Sequence, residues 1–498
     1  MLLKKKNLHD EYEIRKKKLV NLVNKGFDFP NHFKVNTNIQ NINKKYDHYS
    51  RQELLKENKL IYLSGRIIKQ RIMGKATFII IQDMIEEIQI YVTEKKITPK
   101  IYQEEFKKWD IGDIIGVIGT IFKTHTGELS IYCTKIYLLS KSLRPLPSKF
   151  HGLLNQEIRY RKRYLDLLVN KNVTRTFITR SKILIQIRNY MDEKNFVEVE
   201  TPIMQNIPGG ASAKPFVTYH NSLNIKMYLR VSPELYLKRL IIGGLTKIYE
   251  ISKNFRNEGI SYKHNPEFTM MELYIAYANY EDLMNLITDL IKYITKKIYY
   301  TYQIKYKKRI IDFNQPFDVF TMKNAILHYN KNIKTNDLLN IQKIKNIAIL
   351  YNIKVQKKWT IEKIMTKIFE MTTEEKLINP TFITEYPIEI SPLAKKNKIN
   401  KNYADRFELF IGGIEIANGF SELNNPEEQK MRFIKQNQEI SSTLNKEKKY
   451  DQEYITAMEY GMPPTAGLGI GIDRLIMILT NQSNIRDVIL FPTLRPKK

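Results

Sequence analysis

Residues 252–274 read SKNFRNEGISYKHNPEFTMMELY: two runs that suit antiparallel strands, joined by a polar loop. Residues two apart in a strand share a face, so Arg256 and Glu258 are expected to point together, as are Phe268, Met270, Glu272 and Tyr274. One sheet face then carries a cation, two carboxylates and two aromatic rings. That mixture is too polar for a core and too aromatic for an idle surface. It suits a ligand that combines an anionic group, an ammonium and a flat base, as an aminoacyl-adenylate does.

Length and composition bound the rest. A chain of 498 residues has room for two or three domains with cores of their own. Its single cysteine, Cys133, excludes a disulfide framework and a cysteine-based zinc site; its apolar neighbours make it a core residue of a protein in a reducing compartment. The N-terminal MLLKKKNLHDEYEIRKKK lacks the apolar stretch of a signal peptide, and no 18-residue apolar run follows, so a soluble, cytoplasmic protein without a membrane partner is expected. A net charge of +29 suits a polyanionic partner. Abundant Lys, Asn, Ile and Tyr with scarce Gly also fit coding by an AT-rich genome, and the charge by itself leaves both explanations open.

Read in order, residues 4–25 suggest one basic amphipathic helix using Leu19, Leu22 and Val23, within a helical extension over 1–58 that holds a second helix near 50–58. From Leu60 short β-runs take over: LIYLSGRII, ATFIIIQ, EEIQIYV, then a helical PKIYQEEFKKWD, then IGDIIGVIGTIF and ELSIYCTKIYLL. Five strands with a helix between the third and fourth are the element order of an OB-fold barrel, placed at 59–142. Alternation turns Thr77, Ile79 and Ile81 inward and leaves Phe78 and Gln89 outward, a pair that reads either as a base-binding face or as a stray surface aromatic. Arg71 and Lys75 fall on the loop after the first strand. KSLRPLPSKF contains the expected linker, 143–150, and 151–498 forms the second domain, with a mainly helical insertion at about 280–380 that carries no polar constellation. The fold class is α+β.

FRNE, His264 and PEFTMMELY resemble motif 2 of the class II aminoacyl-tRNA synthetases; GLGIGIDR at 467–474 resembles motif 3, and NFVEVETPIM at 195–204 is similar to motif 1 with Pro202 as its proline. With GGASAKPF, PELYLKRL and NGFSEL, the chain from about residue 8 resembles the bacterial-type lysyl-tRNA synthetase family. The resemblance implies a helix-flanked antiparallel class II sheet, L-lysine, ATP and tRNA(Lys) as substrates, Mg²⁺ bound with ATP, and a homodimer formed through the motif 1 region.

It also implies roles. Arg256 would bridge the lysine carboxylate and the α-phosphate; Phe268 and Arg474 would sandwich the adenine, Glu258 would accept from its amino group, and His264 would reach the distal phosphates. Glu408 and Glu415, either side of Gly412–Gly413, would hold Mg²⁺, although two acids around a turn are by themselves also an ordinary surface feature. Glu234 and Glu422 would meet the lysine ammonium, with Tyr274 completing the pocket; Gly210 and Glu272 would take the α-amino group, Asn418 the carboxylate, and Phe420 would form an apolar wall. Taken alone, Glu234 after Pro233 reads more readily as a first-turn helix acid than as a ligand. Phe78, Gln89 and Glu128 would read the anticodon. Glu415 and Asn418 are an odd distance apart, so if both serve the ligand a bulge near Ala417 is required. Two competing readings are a paralogue that attaches lysine to protein, disfavoured by residues 60–140, and a silent nucleic-acid binder, disfavoured by intact motifs 2 and 3.

Overall fold

A computed structural model describes residues 2–57, 59–147, 155–211, 213–357, 359–444 and 450–496; the end of the expected linker, 148–150, lies outside them. The chain forms two compact units, residues 1–175 and 176–498. The division falls within the helix Lys171–Glu193, beyond the Pro-interrupted stretch, because the helices Gln156–Arg161 and Arg163–Val169 group with the first unit, where Lys171 also pairs with Glu87 at 2.6 Å. No helix among the described residues is long and apolar enough to cross a membrane.

The first unit is built on a closed barrel in the order β1-β2-β3-β5-β4, with β1 Leu60–Met73, β2 Ala76–Asp83, β3 Glu86–Thr93, β4 Ile114–Lys123 and β5 Leu129–Ser140. Thr77, Ile79, Ile81, Ile88, Ile90 and Val92 are buried, as strict alternation requires, and short helical turns over 94–108 separate β3 from β4. Cys133 is buried, and that burial pushes its thiol up to about 12. Arg71 is not in a loop: β1 runs to Met73 and pairs Arg71 with Phe78, leaving the tight turn to Gly74, at φ +62°, and Lys75.

The N-terminal segment forms one helix, Leu2–Asn24, as expected, and Leu22 packs against the barrel core. Val23 is exposed, and the anchor is the buried Arg15, which donates to Ile111 O at 2.9 Å, with Lys18 paired to Asp110 at 2.7 Å. A helix over Ile39–Tyr46, capped by Asn38, adds Ile39, Ile42 and Tyr46 to the barrel core.

The second unit holds β6 Val197–Glu198, β7 Met204–Gln205, β8 Val217–His220, β9 Ile225–Leu229, β10 Lys247–Phe255, β11 Glu267–Ala276, β12 Gln303–Tyr306, β13 Arg309–Asp312, β14 Asp318–Thr321, β15 Thr381–Pro387, β16 Tyr403–Ile411, β17 Ile414–Ser421 and β18 Thr465–Gly471. Its main sheet has eight strands in the order β14-β15-β16-β17-β18-β11-β10-β6, antiparallel except for the outermost pair at each end. One face is covered by the helices Lys171–Glu193, Tyr280–Tyr299 and Ile472–Leu479, whose Ile187, Ile287 and Ile476 pack with Met271, Leu273, Leu468 and Ile470 from the sheet. The helix Glu234–Ile242 covers part of the other face, where Leu237 and Ile241 pack on Ile248, Tyr274 and Ala276.

The turn from the helix Lys171–Glu193 into β6 passes through Asn195 at φ +59°, a left-handed position that Asn tolerates where Gly is the commoner solution. Among its described residues the segment over about 280–380 carries five α-helices, beginning with Tyr280–Tyr299, and the expected helical pattern leaves out only its short strands. These are the hairpin β12–β13 and the edge strand β14, and the other four helices have a core of their own around Ile326, Ile364 and Phe369.

Candidate active site

The open face of the central strands lines a cavity of about 1230 Å³ that gathers Gly210, Glu234, Arg256, Glu272, Asn418 and Phe420, with Tyr274 also on its wall. Strand register explains the gathering. Tyr274, Glu272 and Met270 stand opposite Gly467, Gly469 and Gly471, while Asn418 and Phe420 face Gly469 and Gly467 from the other side. Leu468 and Ile470 point into the core, so every residue of β18 that faces the cavity is a glycine, and the strand forms a low floor between two walls of side chains. A Cβ on Gly467 would collide with Glu422 and Tyr274. Gly210 sits at φ +85°, where a side chain is strained, and a Cβ there would press on Ser232 and Glu234 at 3.1 Å.

Acids line one part of the cavity. Glu272 accepts from Ser232 Oγ at 2.8 Å and from Tyr274 OH at 3.1 Å; burial and the nearby Glu234 push its carboxyl up to about 7 despite those donors. Glu422 lies beneath Gly467 and is almost fully buried. Burial lifts it well above the ordinary carboxylate range, Glu234 and Glu272 add to the rise, and Lys238 draws it back. Lys238 was not singled out from the sequence, yet its Nζ sits 2.6 Å from Glu234 Oε1 and 2.5 Å from Glu422 Oε2.

Elsewhere on the same face the charges alternate. Arg256 lies with its guanidinium carbon 5.1 Å from the centroid of Phe268, and its buried Nε has no hydrogen-bond partner. The expected strand partnership of Arg256 and Glu258 is corrected: β10 ends at Phe255, Arg256 adds one more rung by donating its backbone N–H to Pro266 O at 2.9 Å, and Glu258 is exposed in the loop. Arg474 donates to Glu415 Oε2 at 2.9 Å and contacts His264 Nε2 at 3.1 Å. A guanidinium only donates, so Nε2 is the accepting nitrogen and the proton sits on Nδ1, 2.8 Å from Ser261 Oγ. Partial burial, Arg474 and Lys263 press this imidazole down to about 4, which leaves it neutral at pH 7.

The acids at the hairpin are joined by residues from elsewhere. Glu408 is held by Arg406 at 2.5 Å and Tyr386 at 2.8 Å, and burial and Glu415 raise its carboxyl. Arg406 also donates to Asn418 Oδ1 at 3.0 Å. The register slips between Leu409 and Phe410, which face Ala417 and Glu415, so Ile416 is an extra residue and Glu415 turns to the face that carries Asn418. Glu374, from the segment thought to lack a polar constellation, is pushed up to about 7 by burial, Glu408 and Glu415. The mutual repulsion of Glu408 and Glu415 suits a divalent cation, and no group of three or more acidic, His or Cys side chains placed to hold a metal occurs among the described residues.

In the barrel unit Phe78, Gln89 and Glu128 come to one face. Gln89 donates to Ser130 Oγ at 3.0 Å, Ser130 donates to Glu128 O, and the Glu128 side chain is exposed. Phe78 is the end of a larger aromatic array: its ring lies 4.8 Å from Tyr91, which stacks at 5.5 Å on Tyr132, with Phe122 beside both and Lys96 over Tyr132. Tyr91 was legible as the next outward residue after Gln89 on β3; the cross-strand meeting of Tyr91 with Tyr132 required the parallel β3–β5 pair.

A family model described as tRNA synthetases class II (D, K and N) matches residues 155–495, and one described as OB-fold nucleic acid binding domain matches residues 61–139. The chain is 58% identical over 491 residues to the lysine–tRNA ligase of Buchnera aphidicola subsp. Acyrthosiphon pisum, covering 99% of this chain and 97% of that one. It is 52% identical to the lysine–tRNA ligase of Edwardsiella ictaluri and 51% identical to the heat-inducible lysine–tRNA ligase of Escherichia coli K12, each over 492 residues, 99% of this chain and 97% of the relative. The synthetase model spans more than half of the chain, and the chain belongs to the class II tRNA synthetases of the D, K and N group.

Proposed function

We infer that the protein is a lysine–tRNA ligase, which joins L-lysine and ATP into lysyl-adenylate and pyrophosphate and then transfers the lysyl group to the 3′-terminal adenosine of tRNA(Lys). The observation that carries this reading is the charge layout of one cavity, where Glu234, Glu272 and the adjoining Glu422 gather on one side and Arg256 offers a buried, unpartnered Nε. A substrate with two ammoniums and a carboxylate matches that layout; a neutral side chain would leave a buried acid uncompensated.

In this reading the lysine side chain runs past Phe420 toward Glu234 and Glu422, with Tyr274 beside it, while Glu272 and Gly210 receive the α-amino group. Asn418 and Arg256 orient the carboxylate. One of its oxygens attacks the α-phosphorus as the bond to pyrophosphate breaks, and Arg256 donates to the charge that gathers there. Adenine lies between Phe268 and Arg474 with Glu258 at its amino group, which requires Arg256 to leave its present stacking on Phe268. His264, neutral and held by Arg474 without ligand, reaches the distal phosphates of ATP. Glu408 and Glu415 are the residues that would hold Mg²⁺, whose contribution when bound is neutralisation of phosphate charge.

The barrel, domain 59–142, takes the tRNA(Lys) anticodon on Phe78, Gln89 and Glu128, and 151–498 is the catalytic domain. Exposed Ile185, Val197, Ile203, Met204 and Val217 around the motif 1 segment support pairing with a second copy. The site of action is the cytoplasm. ATP–pyrophosphate exchange run separately with each of the twenty amino acids tests the reading: exchange driven by lysine alone is expected, and exchange driven by another amino acid, or by none, would overturn it.

A further inference from the structure

Lys238 is fully buried, a state that lysine side chains almost never reach without a charged partner. It has two. Its ammonium lies 2.6 Å from Glu234 Oε1 on its own helix and 2.5 Å from Glu422 Oε2 at the end of the β17 segment, and 5.6 Å from the ring centroid of Phe420. An i,i+4 Glu–Lys pair on a helix surface contributes little, and a purely structural buried ion pair can often be replaced by apolar side chains without loss. The question is why the chain keeps this one beneath the cavity.

We propose that Lys238 is a positioning residue that fixes the depth and the charge of the substrate pocket by clamping Glu234 and Glu422 together. The inference rests on the reading of this cavity as the lysine site and adds to it a residue that never touches the substrate. Lys238 engages one oxygen of each carboxylate, so Glu234 Oε2 and Glu422 Oε1 are left for a second cation, and Glu422 Oε1 is the oxygen directly against Gly467 on the cavity floor. The number of groups agrees. Glu234, Glu272 and Glu422 bring three carboxyls against the single ammonium of Lys238, so with both ammoniums of free lysine bound each carboxyl can be ionised against a cation. Burial acts to lower the ammonium's proton affinity, but Glu234 and Glu422 more than reverse this, so Lys238 stays charged and stays in place. The substrate's ammonium is therefore an addition to the clamp and does not displace it.

The test compares Lys238→Met, which keeps an unbranched apolar stem and removes the charge, with Lys238→Arg, which keeps the charge but spreads its donors over a wider fork. Lysine and ATP saturation are measured by ATP–pyrophosphate exchange, with ornithine as a shorter diamine competitor. Lys238→Met is expected to raise the lysine KM by about tenfold or more, to hold the ATP KM within about twofold, and to narrow the preference for lysine over ornithine; Lys238→Arg should shift the same quantities by less. A residue needed only for stability would lower the melting temperature and the amount of active protein without moving the lysine KM or the ornithine ratio. Unchanged lysine KM in either folded variant, or an equal rise in the ATP KM, would overturn the proposal. Failure of both variants to fold would overturn it as well, by making the clamp a requirement of the fold. Wild-type exchange with lysine is the control: its absence would sink the lysine reading itself, whereas its presence beside an unchanged KM in Lys238→Met would sink only the clamp.

Discussion

Gly467→Ala is the smallest change that should separate lysine binding from ATP binding. The methyl group would stand 2.5 Å from Tyr274 Cε1 and closer still to Glu422 Oε1, while ordinary contact needs about 3.5 Å. Neither neighbour is a loose chain end. Tyr274 is buried and donates to Glu272, and Glu422 is buried against Lys238. Glu422 must therefore move by roughly 1 Å or more, which lengthens a charge-assisted contact to the substrate ammonium beyond hydrogen-bond range. Loss of such a contact costs about 1.5–3 kcal/mol, a rise of roughly 10- to 150-fold in the lysine KM. The added methyl is also expected to destabilise the fold by about 1–3 kcal/mol of overpacking. ATP–pyrophosphate exchange across a lysine titration, with ATP titrated in parallel and a thermal melt to confirm folding, reads all three quantities. A folded variant whose lysine KM stays within about twofold of wild type would refute the placement of Glu422 and Tyr274 in the pocket.

Arg256→Ala should lower kcat for adenylate formation by about 100-fold or more, since the guanidinium gains interaction as charge builds at phosphorus; a change confined to KM would make Arg256 a ground-state contact only. Glu272 titrates near 7 and binds an ammonium only as the carboxylate, so lysine affinity measured calorimetrically without ATP should be full above that pH and decline as the pH falls through it. Glu272→Gln should weaken binding and flatten the profile, and a wild-type profile flat from pH 6 to 8 would contradict the assignment. Phe78→Ala should weaken tRNA charging by roughly 5- to 150-fold at low tRNA while leaving tRNA-independent exchange unchanged; parallel loss of both activities would refute separate tasks for the barrel and the synthetase domain.

Much of the molecule was legible because alternation is a local signal. The inward Thr77, Ile79 and Ile81, and the shared face of Met270, Glu272 and Tyr274, follow from a period of two in strands that pair on both sides. The same rule failed for Arg256 and Glu258 because it was carried past the Arg256–Pro266 rung, where pairing stops. The odd spacing of Glu415 and Asn418 was visible as a conflict, and its resolution, the extra Ile416 opposite the Leu409–Phe410 step, belongs to the register of two strands together. The helix Ile39–Tyr46 escaped notice because three apolar residues among polar ones make a weak stripe until the barrel covers them. Lys238 was in plain view four residues after Glu234, but its burial depends on Glu422 arriving from far along the chain. Glu374 was hidden for the same reason: its environment is made by Glu408 and Glu415.

The measurement that bears most directly on the function is the identity of the amino acid placed on tRNA. The protein is incubated with ATP, Mg²⁺, all twenty amino acids together and unfractionated tRNA, and the aminoacyl-adenosine released by nuclease digestion is identified by mass spectrometry. Lysyl-adenosine alone, carried by tRNA with a lysine anticodon, is the expected result; any other aminoacyl-adenosine as the main product, or lysine transferred to protein in place of tRNA, would contradict it.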